Sequence, residues 1–98
     1  MTVLEQIEHW ITMNVMDEII LADGFEEAFL GVSEVFGRPP LATYDRDKCI
    51  EIIIANSDKN GLTDEEAYAE AEEYFDFNVT SAWVGENTPI YLTLWKSR

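Results

Sequence analysis

The chain has 98 residues, and its 20 acids against six bases give a formal net charge of −14. Three Trp, four Tyr and five Phe within a 47% hydrophobic composition exclude a disordered acidic tail and suffice for one core. The charge disfavours direct contact with nucleic acid or anionic lipid, and a single cysteine, Cys49, excludes an internal disulfide framework and points to a reducing compartment.

The first segment places Leu4, Ile7, Ile11 and Val15 at spacings of three and four, one face of a helix. Thr2 is the expected N-cap, and Glu5 completes a capping box. Val3, Trp10 and Met13 widen the stripe, and the Ala22–Asp23–Gly24 break is expected to end an amphipathic helix over 1–22. The rest of the domain, 23–95, reads as an α+β core.

Within it, aromatic and β-branched content predicts a strand over 27–36, a turn at Gly37–Pro40 and a second strand over 41–44, together a hairpin. Asp45 is placed to cap a helix over 46–57, with Cys49, Ile50, Ile53 and Ile54 on its apolar face. A buried strand over 50–55 stays open, because three consecutive isoleucines lose rotamer freedom in a helix.

Residues 55–68, ANSDKNGLTDEEAY, resemble a calcium-binding EF-hand loop at first sight. Setting Gly61 at the loop's sixth position puts Asn56, Asp58 and Asn60 on the ligand positions. The twelfth, where a bidentate Glu is required, falls on Ala67. A turn accounts for every residue instead: Gly61 and Asn60 suit positive φ, Thr63 caps a helix, and Glu66 closes a capping box. No metal is expected here.

That helix is expected over 64–77, with Ala67, Ala71, Tyr74, Phe75 and Asn78 on one side. Asp64, Glu65, Glu66, Glu70, Glu72, Glu73 and Asp76 cover most of the remainder. An irregular link follows, in which Trp83 and Val84 are expected to point inward. Residues 90–95 alternate, Ile90, Leu92 and Leu94 against Tyr91, Thr93 and Trp95, and predict a strand joining the hairpin. The terminal 96–98 read as loose. The expected fold is therefore a single α+β domain, a small and mainly antiparallel three-stranded sheet packed with about three helices.

No catalytic constellation emerges. His9, the one histidine, sits away from Leu4 and Ile11 and reads as a surface residue. The glycines are isolated, so no phosphate-binding loop forms, and no cofactor is expected. Carboxylates are abundant, but they fall on solvated helical faces. Arg38, Asn78, Glu86 and Asn87 are either a binding corner or turn and capping chemistry. No apolar run reaches the roughly 18 residues of a membrane span. The N-terminus lacks a basic region followed by an apolar run. The expected setting is cytoplasmic.

The runs YDRDKCIEIII (44–54), EEYFDFNVTSAWVGENTPIYL (72–92) and DGFEEAFLGV (23–32) resemble a group of small phage-encoded proteins. Those combine a Tyr-Asp step into an Ile-rich helix, an acidic helix ending in Phe-Asn, and a Trp-Val-Gly-Glu-x-Thr-Pro segment. The resemblance brings no activity and no site residues; it implies a virus-infected bacterial cytoplasm.

Two functions fit, beside the plain reading that acidity keeps a small protein soluble. The first is non-catalytic binding of a basic host protein. Seven acids within 64–76 set a negative charge every few ångströms, as phosphates do along a duplex, so a nucleic-acid-mimicking inhibitor of a host defence or DNA-processing protein is its sharpest form. The second is a homodimeric structural or accessory protein, associating through Leu4, Ile7, Trp10 and Ile11 or a sheet edge.

Overall fold

Thr2 accepts a hydrogen bond from the Glu5 N–H at 3.1 Å, and Glu5 accepts one from the Thr2 N–H at 3.0 Å. This reciprocal cap starts α1 (Val3–Asn14) in the computed structural model, which describes residues 1–15, 18–57 and 61–95. The expected helix over 1–22 is therefore too long. The Asn14 amide donates to the Trp10 carbonyl at 2.9 Å and Val15 is extended, which closes the helix four residues after Trp10. Residues 18–22 carry no regular structure; Ile19, Leu21 and Ala22 pack on the core instead. The Ala22 N–H donates to the Tyr44 hydroxyl at 2.8 Å and pins this segment.

A short 3-10 turn (Glu26–Ala28) leads into β1 (Phe29–Ser33), which is shorter than the expected 27–36. Its pairing with β2 (Leu41–Asp45) is antiparallel, with a bulge between Phe29 and Gly31. Gly31, at φ 152°, takes the backbone angle that the bulge demands. Ser33 and Thr43 join their hydroxyls across the pair.

Asp45 ends β2 and caps α2 (Arg46–Asn56), accepting from the Lys48 N–H at 3.3 Å, so strand passes into helix without a loop. The isoleucine run is helical and the strand alternative falls. Thr63 and Glu66 form the expected capping box of α3 (Asp64–Phe75), and Gly61 has φ 78°. Asp58 and Asn60 lie outside the described residues, as do 96–98.

α3 ends in a π turn (Asp76–Thr80), and β3 (Ile90–Leu92) completes a three-stranded sheet of order β1-β2-β3. The β2–β3 pairing is parallel, so the sheet is mixed. Parallel neighbours require a crossover, and α2 and α3 supply it. Among the described residues the fold is a small α+β domain with three α-helices, as expected.

The core gathers Ala28, Ala42, Tyr44, Cys49, Ile50, Ala71 and Phe75 from both layers. Aromatic rings run through it in a continuous chain: Trp10 to Phe29, Phe29 to Tyr44, Tyr44 to Tyr91, Tyr91 to Phe75 and Phe75 to Phe25. Their centroids are 5.1–6.3 Å apart. Four of the pairs pack edge-to-face and Tyr44–Tyr91 is stacked, and such arrangements add roughly 0.5–1.5 kcal/mol per pair beyond burial.

Candidate functional site

Burial of Ala67, Ala71 and Phe75 fixes the rotation of α3 and so decides where each acid points. The seven acids do not share one face. Glu72 and Asp76 turn toward the start of α2, where Arg46 donates to them at 3.3 and 3.0 Å. The same guanidinium lies 5.5 Å from the centre of the Phe75 ring. Its hydrogen bond to Asp76 raises Arg46 above its ordinary value, burial opposes this, and Glu72 adds to it. The acidic surface predicted for 64–76 is therefore partly offset along this flank, one positive charge against two carboxylates. On the same side the Tyr68 hydroxyl donates to Asp47 at 3.5 Å, and burial together with Asp47 raises its pKa.

Glu66 folds back on the Thr63 N–H at 3.1 Å, and that bond holds its carboxyl below the usual range. Asp64, Glu65, Glu70 and Glu73 are exposed. Glu70 belongs to the flank opposite Arg46. There, between α2, α3 and the Asp23–Gly24 turn, lies a cleft of about 540 Å³. Phe25, Ile52, Ile53, Ala71, Tyr74 and Val79 contribute its apolar wall. Among the described residues its charged lining is Asp23 and Glu70, both acids. A second, shallower hollow beside it is bounded by Glu70, Glu73, Tyr74, Phe77 and Asn78. Glu70 and Tyr74 form the ridge between the two.

The π turn shapes this end of the molecule. The Asn78 amide donates to the Tyr74 carbonyl at 3.1 Å, and the Thr80 hydroxyl donates to the Asp76 carbonyl at 3.1 Å. Side chains thus take helix-end carbonyls that would otherwise need water. Phe77 is left 75% exposed beside a 55% exposed Tyr74. Trp83 and Val84, expected inward, are outward: Trp83 is 75% exposed and Val84 also faces solvent. The core ring positions are already filled by Tyr91 and Phe75, which leaves no room in the aromatic chain for Trp83.

No protein-family model, curated protein or solved structure matches the chain.

The remaining candidates resolve individually. Ile7 is buried, Leu4 and Ile11 are half-buried, and Trp10 packs edge-on against Phe29 at 6.2 Å while staying 42% exposed. Part of the α1 stripe is thus spent on the chain's own body, while Val3 and Met13 remain exposed. Arg38 sits in the β1–β2 turn, its N–H donating to Val35. The Asn87 amide donates to the Glu18 carbonyl at 3.3 Å, and Glu86 is exposed. Asn78 closes the end of α3, as the capping alternative had it. Cys49 is fully buried, and that burial, with Asp45 adding, pushes its thiol up to about 12. His9 is exposed on α1. Among the described residues no group of three or more His, Cys, Asp or Glu is disposed to hold a metal ion, and no helix is long and apolar enough to cross a membrane.

Two features of this surface escape sequence periodicity. The cleft forms from segments distant in sequence, and the Arg46 bridge spans 26 and 30 residues. A basic residue opening a helix ahead of a long acidic one is a weak signal for the bridge; nothing local signals the cleft.

Proposed function

We propose that this protein acts without catalysis, binding a basic surface on another protein through the solvent face of α3 and its aromatic end. The observation that carries the reading is the joining of exposed acids to exposed aromatics. Glu70 and Glu73 stand beside Tyr74 and Phe77 at the C-terminal end of α3, and Asp64 and Glu65 are exposed at its start. Acidity alone serves solubility, but large exposed aromatic side chains do not. Aromatic anchors within a polar rim are the pattern of protein-binding surfaces. The sealed Cys49 thiol, held protonated at neutral pH, is unsuited to nucleophilic work.

The setting that fits is the cytoplasm of a phage-infected bacterium, and the partner class is a host defence or DNA-processing protein whose groove is built for phosphates. The Arg46 bridge reduces the mimicry to the outer acids, Asp64, Glu65, Glu70 and Glu73. Immobilised full chain incubated with bacterial lysate is expected to retain a basic protein that elutes as salt rises. Duplex DNA is expected to compete for the same partner. Retention that is indifferent to salt, or unchanged in a Glu65→Lys/Glu73→Lys variant, would overturn the reading.

A homodimer through α1 is the second reading, favoured by the exposure of Val3, Trp10 and Met13 along its outer flank. Sedimentation at two concentrations decides it. A monomer at both removes it, because −14 per chain opposes association unless an apolar interface outweighs the repulsion.

A further inference from the structure

We infer that the cleft between α2, α3 and the Asp23–Gly24 turn is a groove for a basic amphipathic segment of a protein partner. Apolar side chains of that segment enter the cleft, and its Lys or Arg side chains meet Asp23, Glu70 and Glu73. The inference rests on the protein-binding reading above and narrows it to a place and a ligand class.

Three observations carry it. The wall is apolar and open, with Ile52, Ile53 and Tyr74 all retaining exposure that a bound side chain would remove. Its volume of about 540 Å³ leaves room for more than one apolar side chain of a bound segment. Among the described residues its charge is of one sign. Asp23 and Glu70 edge the cleft, Glu70 and Glu73 edge the neighbouring hollow, and Arg46 is engaged on the opposite flank by Glu72 and Asp76. An apolar slot between acidic edges complements a ligand that is apolar along one line and cationic on both sides of it.

A helix with apolar residues at spacings of three and four has that layout. Neighbouring anchors stand about 5–6 Å apart, and lysines flank the stripe. A second copy of this chain does not suit the slot, since it would bring −14 to an already acidic rim. Glu70 and Tyr74 line both the cleft and the shallower hollow, so a second anchor of a longer segment can reach the hollow across that ridge.

The test is a titration of the isotope-labelled full chain, followed by amide NMR, with two synthetic peptides of Leu and Lys. One carries leucines at helical amphipathic spacing; the other has the same composition with the leucines shuffled around the helix. The amphipathic peptide is expected to shift the amides of Gly24, Ile52, Ile53, Ala67 and Ala71 and to bind about tenfold more tightly than the shuffled one. An Asp23→Lys/Glu70→Lys variant, altered only at exposed positions and checked for an unchanged fold by its spectrum, is expected to lose at least about tenfold. Tyr74→Ala, also exposed, is expected to weaken the amphipathic peptide and leave the shuffled one unchanged.

Equal binding of both peptides, with shifts confined to Asp64, Glu65 and Glu73, overturns the groove while the broader acidic-surface reading stands. Binding of neither peptide also overturns the groove; salt-sensitive capture of a basic partner then shows whether the broader reading survives.

Discussion

Arg46 is the residue on which the end of α3 depends, and replacing it by Met isolates its charge because the aliphatic stem is kept. The variant loses two ion pairs and one contact with the Phe75 ring. Glu72 and Asp76 are 42% and 53% exposed, so solvent screens both pairs and each contributes about 0.5 kcal/mol. The cation–ring contact adds roughly 0.5–1 kcal/mol. The sum is about 1.5–2 kcal/mol, which for a domain of this size lowers Tm by roughly 6–16 °C. Urea unfolding of the wild type and Arg46→Met is the assay, at ionic strengths of roughly 0.01 M and 1 M, where the screening length falls from about 30 Å to about 3 Å. The gap is expected to shrink to about half at high salt, leaving the ring contact. The same variant should bind a cationic partner more tightly, because two surface carboxylates lose their counter-charge. Equal urea midpoints for the two proteins at low salt would falsify the bridge.

Tyr44→Phe removes the acceptor of the Ala22 N–H. A loss of about 1–2 kcal/mol is expected, together with faster amide exchange at Ala22; unchanged exchange there would show that this bond does not hold the 18–22 segment. Thr63→Ala deletes the cap of α3 and should cost about 1 kcal/mol, read as a lower urea midpoint with an unchanged slope. Alkali isolates Cys49. Its pKa in the fold, about 12, lies above its ordinary 9.0, so its contribution is fully present below pH 9 and is lost as pH rises toward 12. Tyr44 and Tyr91, also raised by burial, begin to contribute only above their ordinary 10.0. Between pH 9 and pH 10 the wild type should therefore lose about 1 kcal/mol through Cys49. Cys49→Ala should remove most of that slope, and a slope unchanged by the substitution would show that the thiol is not sealed.

Local signals in the sequence were reliable wherever the cause is local. Thr2 with Glu5, Asp45, and Thr63 with Glu66 satisfy helix-end N–H groups within three residues, and each cap forms where the residue types placed it. The Gly61 turn belongs to the same class. The EF-hand resemblance gave way for a local reason too, since Ala67 is a buried helix residue. The failures have long-range causes. Apolar residues 19–22 extend the α1 pattern on paper, but the Tyr44 hydroxyl and the core offer them an extended path. Alternation in 90–95 yields a strand only over Ile90–Leu92, with 93–95 irregular, and it is silent on direction, which the intervening helices set. The acidic helix was legible as acidic, yet how much charge stays free depends on Arg46, placed by β2 running straight into α2. Trp83 was expected inward because it is apolar, while the aromatic chain of the core is built by six residues from six other places in the sequence.

The most direct measurement is the affinity of the lysate-captured basic protein for wild-type chain and for Glu65→Lys/Glu73→Lys, each followed across a salt series. Binding by an anionic helix face predicts that log affinity falls linearly with log salt for the wild type, and that the double reversal weakens binding by more than about tenfold and flattens the slope. Equal affinities with parallel salt dependence in the two proteins would mean that the partner is held elsewhere, and that these acids serve only to keep the protein in solution.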